Sequence, residues 1–227
     1  MRRTIIDVLL LSILLIPIAC QKTRQTEPWF DHAKNYIEAD AQMRREATQP
    51  TFSRNYELRE KAKTLLEKAG PPSTSTLDAL LRSTNDLDRK AALVTIMVTK
   101  TNANELFATI LERYKVRDDF FVKFYSQHCF ENLSDAQITA LEDRLISILA
   151  AEEDEVVITA GMPTLMRLDS AKSKGLLIQY MKTRSPGLRR TVNTYINRRG
   201  NGFFEEIKAT LEQDKAVDAL KFLQKVN

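Results

Sequence analysis

The sequence predicts an all-α fold, and three observations support this prediction. Apolar residues recur three and four positions apart through most of the chain after residue 28, which is the spacing of one helix face. Only six Gly and seven Pro occur in 227 residues, which suits helices better than a turn-rich β fold. The one β-like run, Val156-Val157-Ile158, stands between acidic residues and a Gly-Met-Pro break, and no segment shows the alternation of a half-buried strand.

Residues 1–19 have the three zones of an export signal. Arg2 and Arg3 give a positive start, residues 8–16 are aliphatic except for Ser12, and Ala19 precedes Cys20. A membrane-spanning helix needs about 20 apolar residues. This run is shorter and is followed at once by the polar residues 21–24. The segment is therefore predicted to direct export of the residues that follow it.

The end of this segment resembles the lipobox of bacterial lipoproteins. Ala19-Cys20 is a small residue before a cysteine, whereas Pro17 stands where the family usually has Leu. The resemblance implies that Cys20 carries a lipid, becomes the mature N-terminus and anchors the chain to a membrane of the cell envelope. Two alternatives stay open, ordinary cleavage with an unmodified Cys20 and a retained signal anchor. All three place the rest of the chain outside the cytoplasm.

Composition sets further limits on the exported part. The 208 residues from Cys20 onward are enough for one domain with a substantial core. The net charge of the whole chain, +4, is too small to indicate a polyanionic partner by itself. If Cys20 carries lipid, Cys129 is the only thiol that remains, so no internal disulfide is expected and packing must supply the stability.

The N-terminal part of the exported chain divides into a tether and a hairpin. Residues 20–28 comprise Cys20 and a polar tether without helical spacing. Residues 29–75 are predicted to form a helical hairpin that caps the rest of the fold. Its second helix is expected to stop at Gly70-Pro71-Pro72, since Gly tolerates a left-handed closing residue and Pro cannot continue the helix.

Residues 76–227 show a repeated pattern of two-helix units. The second helix of each unit is predicted to begin after steps of 32, 36, 31 and 29 residues, which suits stacked hairpins. The predicted starts are Asp86, Asp118, Asp154, Ser185 and Asp214. One first helix begins with the capping box Ser134–Gln137 and is predicted to bury Ile138, Leu141, Leu145, Ile148 and Leu149 on one stripe. Pro163 is predicted to bend or end its helix near Gly161.

The repeated units resemble HEAT-like repeats over roughly residues 76–225. The second helix of that family often opens with Asp or Pro, an aliphatic residue and Arg, as in Asp88-Arg89-Lys90-Ala91-Ala92 and Pro186-Gly187-Leu188-Arg189-Arg190. The resemblance implies a stack of antiparallel helical hairpins, an α-solenoid, in which neighbouring hairpins bury each other's apolar faces. The alternative is a compact helical bundle without repeat geometry.

A search for catalytic or metal-binding residues finds no recognisable constellation. The candidate metal ligands His32, His128 and Cys129 offer no familiar zinc spacing, so neither metal nor cofactor is expected. His128 and Cys129 are helical neighbours, which point about 100 degrees apart, and they are predicted to edge the core rather than form a thiolate–imidazole pair. No Gly-rich phosphate loop or Gly-x-Ser-x-Gly elbow occurs, and the acidic run of residues 152–155 is interpreted as a solvated turn. The chain is therefore not expected to be an enzyme.

One stretch of the sequence is a candidate binding surface. Its cations are Lys182, Arg184, Arg189, Arg190, Arg198 and Arg199, with Tyr180 and Tyr195 nearby. Arg suits phosphate and carboxylate groups, but export disfavours nucleic acid as the partner. Anionic lipid, a glycan or an acidic protein would be accessible, and the simpler interpretation is a solvated helix face.

The sequence leaves three alternative functions open. The first is a non-catalytic protein–protein interaction module, anchored to the membrane through Cys20, whose partner is another envelope protein. The second is an accessory envelope enzyme or ligand carrier with an unrecognised site, which would need a pocket with convergent polar groups. The third is a basic surface that binds anionic lipid or glycan.

Overall fold

The computed structural model describes residues 27–46, 52–116 and 119–225, and these residues form thirteen helices. In chain order they are α1 (Pro28–Arg45), α2 (Phe52–Ala69), α3 (Thr74–Leu81), α4 (Asp86–Thr99), α5 (Ala103–Val116), α6 (Phe120–Glu131), α7 (Asp135–Ala140), α8 (Glu142–Ala150), α9 (Glu155–Met166), α10 (Ala171–Thr183), α11 (Pro186–Arg198), α12 (Asn201–Gln213) and α13 (Val217–Leu220). No strand occurs in these three ranges. The prediction of an all-α fold is confirmed.

Most of the helix starts are fixed by polar caps. Seven helices begin after a Ser, Asn or Asp whose side-chain oxygen accepts a hydrogen bond from a backbone N–H of the first turn, and each such cap contributes about 1 kcal/mol. The caps are Ser73, Asn85, Asp119, Ser134, Asp154, Ser170 and Ser185. The cap predicted at Ser134 is among them.

The chain divides into two compact units, the first ending at Arg117 and the second beginning at Asp118. In the first unit, α1 and α2 form the predicted hairpin and both pack against α4. Helix α2 ends as expected, because Gly70 is left-handed (φ 72°) and its N–H bonds to the Leu66 carbonyl. Helix α4 is the centre of this unit, and residues 91–96 have no solvent-exposed surface.

The second unit consists of helices packed in two layers. One layer contains α6, α9 and α11, in which each helix packs on the next, and the other contains α8, α10 and α12. The hairpin contact of α10 with α11 joins the layers, as does that of α8 with α9. Consecutive second helices and consecutive first helices thus lie side by side, which is the packing expected of stacked hairpins.

Polar contacts one repeat apart link successive hairpins. Arg167 and Arg199, 32 residues apart, follow the last residues of α9 and α11. The Arg167 guanidinium donates to the carbonyls of Glu131 (2.7 Å) and Leu133 (2.8 Å), at the end of α6. Arg199 donates in the same way to the Met166 carbonyl (2.6 Å), at the end of α9. Each arginine therefore satisfies carbonyl groups that a helix C-terminus leaves without partners.

Four of the five predicted starts of second helices agree with the observed helix starts to within two residues. Asp86 begins α4, Asp154 and Ser185 cap α9 and α11, and α6 begins at Phe120 rather than at Asp118. The predicted short last helix is present as α13, but it begins at Val217 rather than at Asp214, which caps the end of α12. Lys215 is left-handed there (φ 52°) and the Ala216 N–H bonds to the Leu211 carbonyl, a helix-terminating arrangement.

Pro163 does not end its helix near Gly161, so that part of the prediction is wrong, whereas the predicted bend stays a prediction. Helix α9 continues from Glu155 to Met166 with Pro163 inside it. Met162 and Leu165 on either side of the proline are almost completely buried, and α9 packs against three other helices, α6, α8 and α11. This packing outweighs the cost of about 3 kcal/mol that an internal proline imposes.

The single helix predicted after Ser134 is two helices. Leu141 leaves the helical conformation (φ −108°, ψ 8°) between α7 and α8, and it is half-buried rather than part of the buried stripe. Ile138 and Leu145 remain almost completely buried on either side of this turn.

Candidate functional site

The predicted basic cluster lies in a stretch of unusual charge. Residues 170–204 contain eight Lys or Arg and no Asp or Glu. The structure gives most of these cations a partner within the second unit. Lys172 pairs with Asp143 (2.5 Å) and Lys174 pairs with Glu206 (2.8 Å), so acids from neighbouring hairpins balance the stretch.

Four of the six predicted binding residues have internal acceptors. The Lys182 ammonium lies 2.5 Å from the Asp214 carboxylate, and Arg184 donates to the Glu152 carbonyl at 2.6 Å. Arg189 donates to the carbonyls of Arg184 (2.7 Å) and Lys182 (2.9 Å), at the end of α10. Arg199 adds a 3.1 Å ion pair with Asp169 to its bond with Met166. These four side chains hold helix ends together.

The other two predicted residues, Arg190 and Arg198, extend from the exposed face of α11. Neither makes an ion pair or a side-chain hydrogen bond with any described residue. The Arg198 guanidinium lies 5.3 Å from the centre of the Tyr195 ring, a cation–π distance. The structure therefore separates the six-residue cluster into four structural cations and two that are available on one surface.

Sequence reasoning did not identify an open cleft of about 610 Å³ between α1 and α2. Its lining residues follow a 3–4–3 spacing on each helix, His32, Asn35, Ala39 and Gln42 on α1 and Asn55, Leu58, Ala62 and Leu65 on α2, with Glu38 and Lys61 beside them. Two buried alanines form its floor, and Leu58 is 47% exposed although it belongs to the apolar stripe of α2. The matching 3–4–3 spacing of the lining residues on α1 and α2 is visible in the sequence. Nothing in the sequence shows that these two rows of residues line an open cleft.

The base of the α1–α2 hairpin is a charged network. Asp40 is buried (2% exposed), and its carboxylate accepts hydrogen bonds from Arg44 (3.0 Å) and from Arg59 of α2 (3.3 Å). Tyr36 lies beside Arg59, whose guanidinium is 5.9 Å from the ring centre. Burial raises the pKa of the Tyr36 hydroxyl to about 12, so this group stays protonated in the neutral range. The network fixes the two walls of the cleft relative to each other.

The acidic run is not wholly solvated, which corrects the prediction for its first residue. Glu152 is only 4% exposed, and one carboxylate oxygen accepts the N–H groups of Glu153 (3.0 Å) and Asp154 (3.1 Å). The Lys123 ammonium lies 3.5 Å from its other oxygen. A cavity of about 420 Å³ opens beside this carboxylate and is lined by Phe120, Lys123 and residues 151–154 and 157. Glu153 and Asp154 are exposed, as the turn prediction requires.

The candidate ligands do not come together. His128 is half-buried, with its Nδ1 atom 3.5 Å from Glu131, as predicted for a residue at the edge of the core, whereas Cys129 is completely buried within the core. His32 lines the α1–α2 cleft. Across the described ranges, no group of three or more His, Cys, Asp or Glu residues is placed to bind a metal ion.

Cys20, the predicted export signal and residues 21–26 of the predicted tether lie outside the described residues. Among the helices that are described, none combines the length and the apolar character needed to cross a membrane.

Comparisons with known proteins add no identification. The chain matches no protein-family model, and no significant match is found among curated proteins or among solved structures.

Proposed function

We propose that this protein is a lipoprotein of the bacterial cell envelope, anchored through a lipid on Cys20, in which HEAT-like repeats act as a non-catalytic protein–protein interaction module. The observation that carries the proposal is the two-layer packing of residues 119–225 with side-chain links one repeat apart. Such stacks present one helix of every repeat on each face, and so provide an extended surface on a stiff frame. Lipidation of Cys20 would hold that surface at the membrane.

The anchor is tested by metabolic labelling with an alkyne fatty acid. The wild-type chain is expected to incorporate the probe and to sediment with membranes, whereas Cys20→Ala does neither. Cys129→Ala is the matched control and is expected to label like the wild type, because Cys129 is a buried thiol. Equal labelling of wild type and Cys20→Ala would contradict the lipoprotein proposal.

The interaction role is tested by photo-crosslinking in cells. The photoreactive residue p-benzoylphenylalanine is placed in full-length chains at Leu58, Val156 or Thr194, three positions exposed on different helices. A protein partner is expected to give one discrete crosslinked species at one or more of these positions. No species at any of the three, with normal membrane localisation, would count against an interaction module.

A second candidate, a ligand carrier, is favoured by the α1–α2 cleft. Its volume of about 610 Å³ falls within the range of small-molecule sites, and it combines an apolar floor with polar rims. Native mass spectrometry of the full-length chain, released from membranes in detergent, would then show a bound small molecule that Leu58→Trp displaces. A chain that carries no adduct in either form contradicts this candidate.

A further inference from the structure

The exposed face of α11 carries guanidinium and phenol groups that make no ion pair or hydrogen bond with other described residues. This α11 face consists of Arg190, Thr194, Tyr195 and Arg198. Arg190, Thr194 and Arg198 are exposed and follow one another at four-residue spacing, whereas Leu188, Val192 and Ile196 of the same helix are buried. The three exposed residues therefore lie on the side of α11 opposite the core, and the half-buried Tyr195 lies at the margin of the face.

Within the described residues, no acidic side chain forms an ion pair with the two arginines of this face. In residues 170–204, six of eight cations have an acid or a carbonyl acceptor within the second unit, as described above. Arg190 and Arg198 are the two that remain, and helix α11 itself contains no acidic residue. No described residue donates to or accepts from the Tyr195 hydroxyl either. Two guanidinium groups and one phenol are thus available to a ligand.

We propose that the α11 face docks an acidic segment of a partner protein. This inference rests on the proposed interaction module and names the surface and the chemistry of its partner. Arg190 and Arg198 are eight residues apart on one helix, so their origins are separated by about 12 Å along the axis. Guanidinium groups pair with carboxylates through two parallel hydrogen bonds, so two acidic side chains at a similar separation would satisfy both.

The neighbouring surface supports a polypeptide as the occupant. Helix α9 packs beside α11, and its exposed row contains Val156 (46% exposed) with Thr159 and Pro163 half-buried. Apolar residues, Tyr and Arg together are typical of protein–protein interfaces. A membrane surface is the poorer fit, because lipid recognition by charge uses clusters of about four to eight Lys or Arg, and the structure leaves only two here.

The test is fluorescence polarisation with two labelled peptides, one in which Glu alternates with Ala and Leu and one with Gln at every Glu position. The protein is the full-length chain in non-ionic detergent at low salt. We expect the Glu peptide to bind more tightly than the Gln peptide, and added salt to weaken its binding. Arg190→Glu/Arg198→Glu should lower affinity by about tenfold or more, because two charge-assisted contacts become repulsive.

The matched control is Lys68→Glu/Arg144→Glu, which makes the same change in net charge at two exposed cations on α2 and α8. This control is expected to bind the Glu peptide like the wild type, and all variants are expected to share the wild-type unfolding temperature. Equal loss in both double variants would overturn the proposal, since it would show attraction to overall charge. Equal binding of the two peptides would also overturn it.

Two further outcomes separate this inference from the proposed function. Binding to phosphatidylglycerol vesicles that depends on Arg190 and Arg198, without binding of the Glu peptide, would assign the α11 face to lipid and overturn the acidic-protein proposal. Crosslinks in cells from Leu58 but not from Thr194 would also overturn the proposal for α11, while leaving the interaction module supported. A crosslink from Thr194 that disappears in Arg190→Glu/Arg198→Glu is the expected result.

Discussion

Gly161 lies on α9 close to the side chains of Leu149 and Gln127, and a side chain there has no room. A Cβ atom at this position would overlap a methyl group of Leu149 and the side-chain oxygen of Gln127, which is itself buried. We expect Gly161→Ala to lower the free energy of unfolding by about 1–3 kcal/mol, as overpacking of a core does. Denaturation by urea measures this change.

Gly175 provides the matched control on α10. It also lies within a helix, but a Cβ atom there meets nothing within 4 Å. Gly175→Ala is expected to raise the free energy of unfolding by about 0.5–1 kcal/mol, because Ala has the higher helix propensity. If both variants changed stability in the same direction, the steric account of Gly161 would be wrong.

Glu155 makes stability depend on pH. The Ser185 side chain and backbone N–H (2.9 Å) donate to its carboxylate, and these hydrogen bonds hold the pKa of Glu155 below its ordinary value. Because the folded-state pKa is the lower one, the stabilisation is complete above the unfolded-state pKa and is lost as pH falls through the folded-state pKa. We expect Glu155→Gln to be less stable than wild type at pH 7, by no more than about 1 kcal/mol since solvent screens the site.

The difference between Glu155→Gln and wild type should shrink as pH falls through the folded-state pKa of Glu155, because the wild-type carboxyl then becomes protonated as well. Thermal unfolding across pH 2–7 measures this difference in stability between Glu155→Gln and wild type. Glu153→Gln, two residues away on an exposed side chain, is the control and should follow the wild-type profile. A constant offset for Glu155→Gln at all pH values would contradict the assigned cause.

At the level of helices, the neighbours Arg198 and Arg199 have opposite roles. Arg199 joins the end of α9 through Met166 and Asp169. Arg198 lies over the Tyr195 ring and makes no ion pair or side-chain hydrogen bond with the described residues. Arg199→Ala should therefore cost about 1–2 kcal/mol in the free energy of unfolding, and Arg198→Ala less than about 0.5 kcal/mol. Chemical denaturation of the two variants measures this contrast, and equal losses would refute it.

The sequence predicted helices and their starts better than it predicted surfaces. Capping residues such as Asp154 and Ser185 act on the adjacent backbone, so local pattern was sufficient there. Helix α9 continues through Pro163 because it packs against three other helices. The sequence shows the energetic cost of the proline but not this packing. The same holds for the basic cluster, because the partners of Arg184 and Arg199 lie about 32 residues away in the chain.

At the scale of the whole molecule, local stability should differ along the described part of the second unit and be lower in α13 than in α9. Helix α13 has only four residues and exposes 63% of Val217, whereas α9 is packed among three helices. In stacked repeats a terminal element has neighbours on one side only, and it opens at a lower free energy than an internal one. Hydrogen–deuterium exchange should therefore be faster in residues 217–225 than in α9. Equal protection of α13 and α9 would contradict this prediction.

Residues that form hydrogen bonds between hairpins of the second unit are separated by a nearly constant number of residues, and this spacing affects how fast the unit folds. The hydrogen bonds that join its hairpins span between 27 and 36 residues, from Asn197 with Gln224 to Arg167 with Glu131. Closing a loop of that size carries a modest entropic penalty, and proteins dominated by short-range contacts fold fast. Each hairpin can therefore find its neighbour without waiting for distant parts of the chain. As the chain is synthesised, its hairpins can therefore fold one at a time in sequence order.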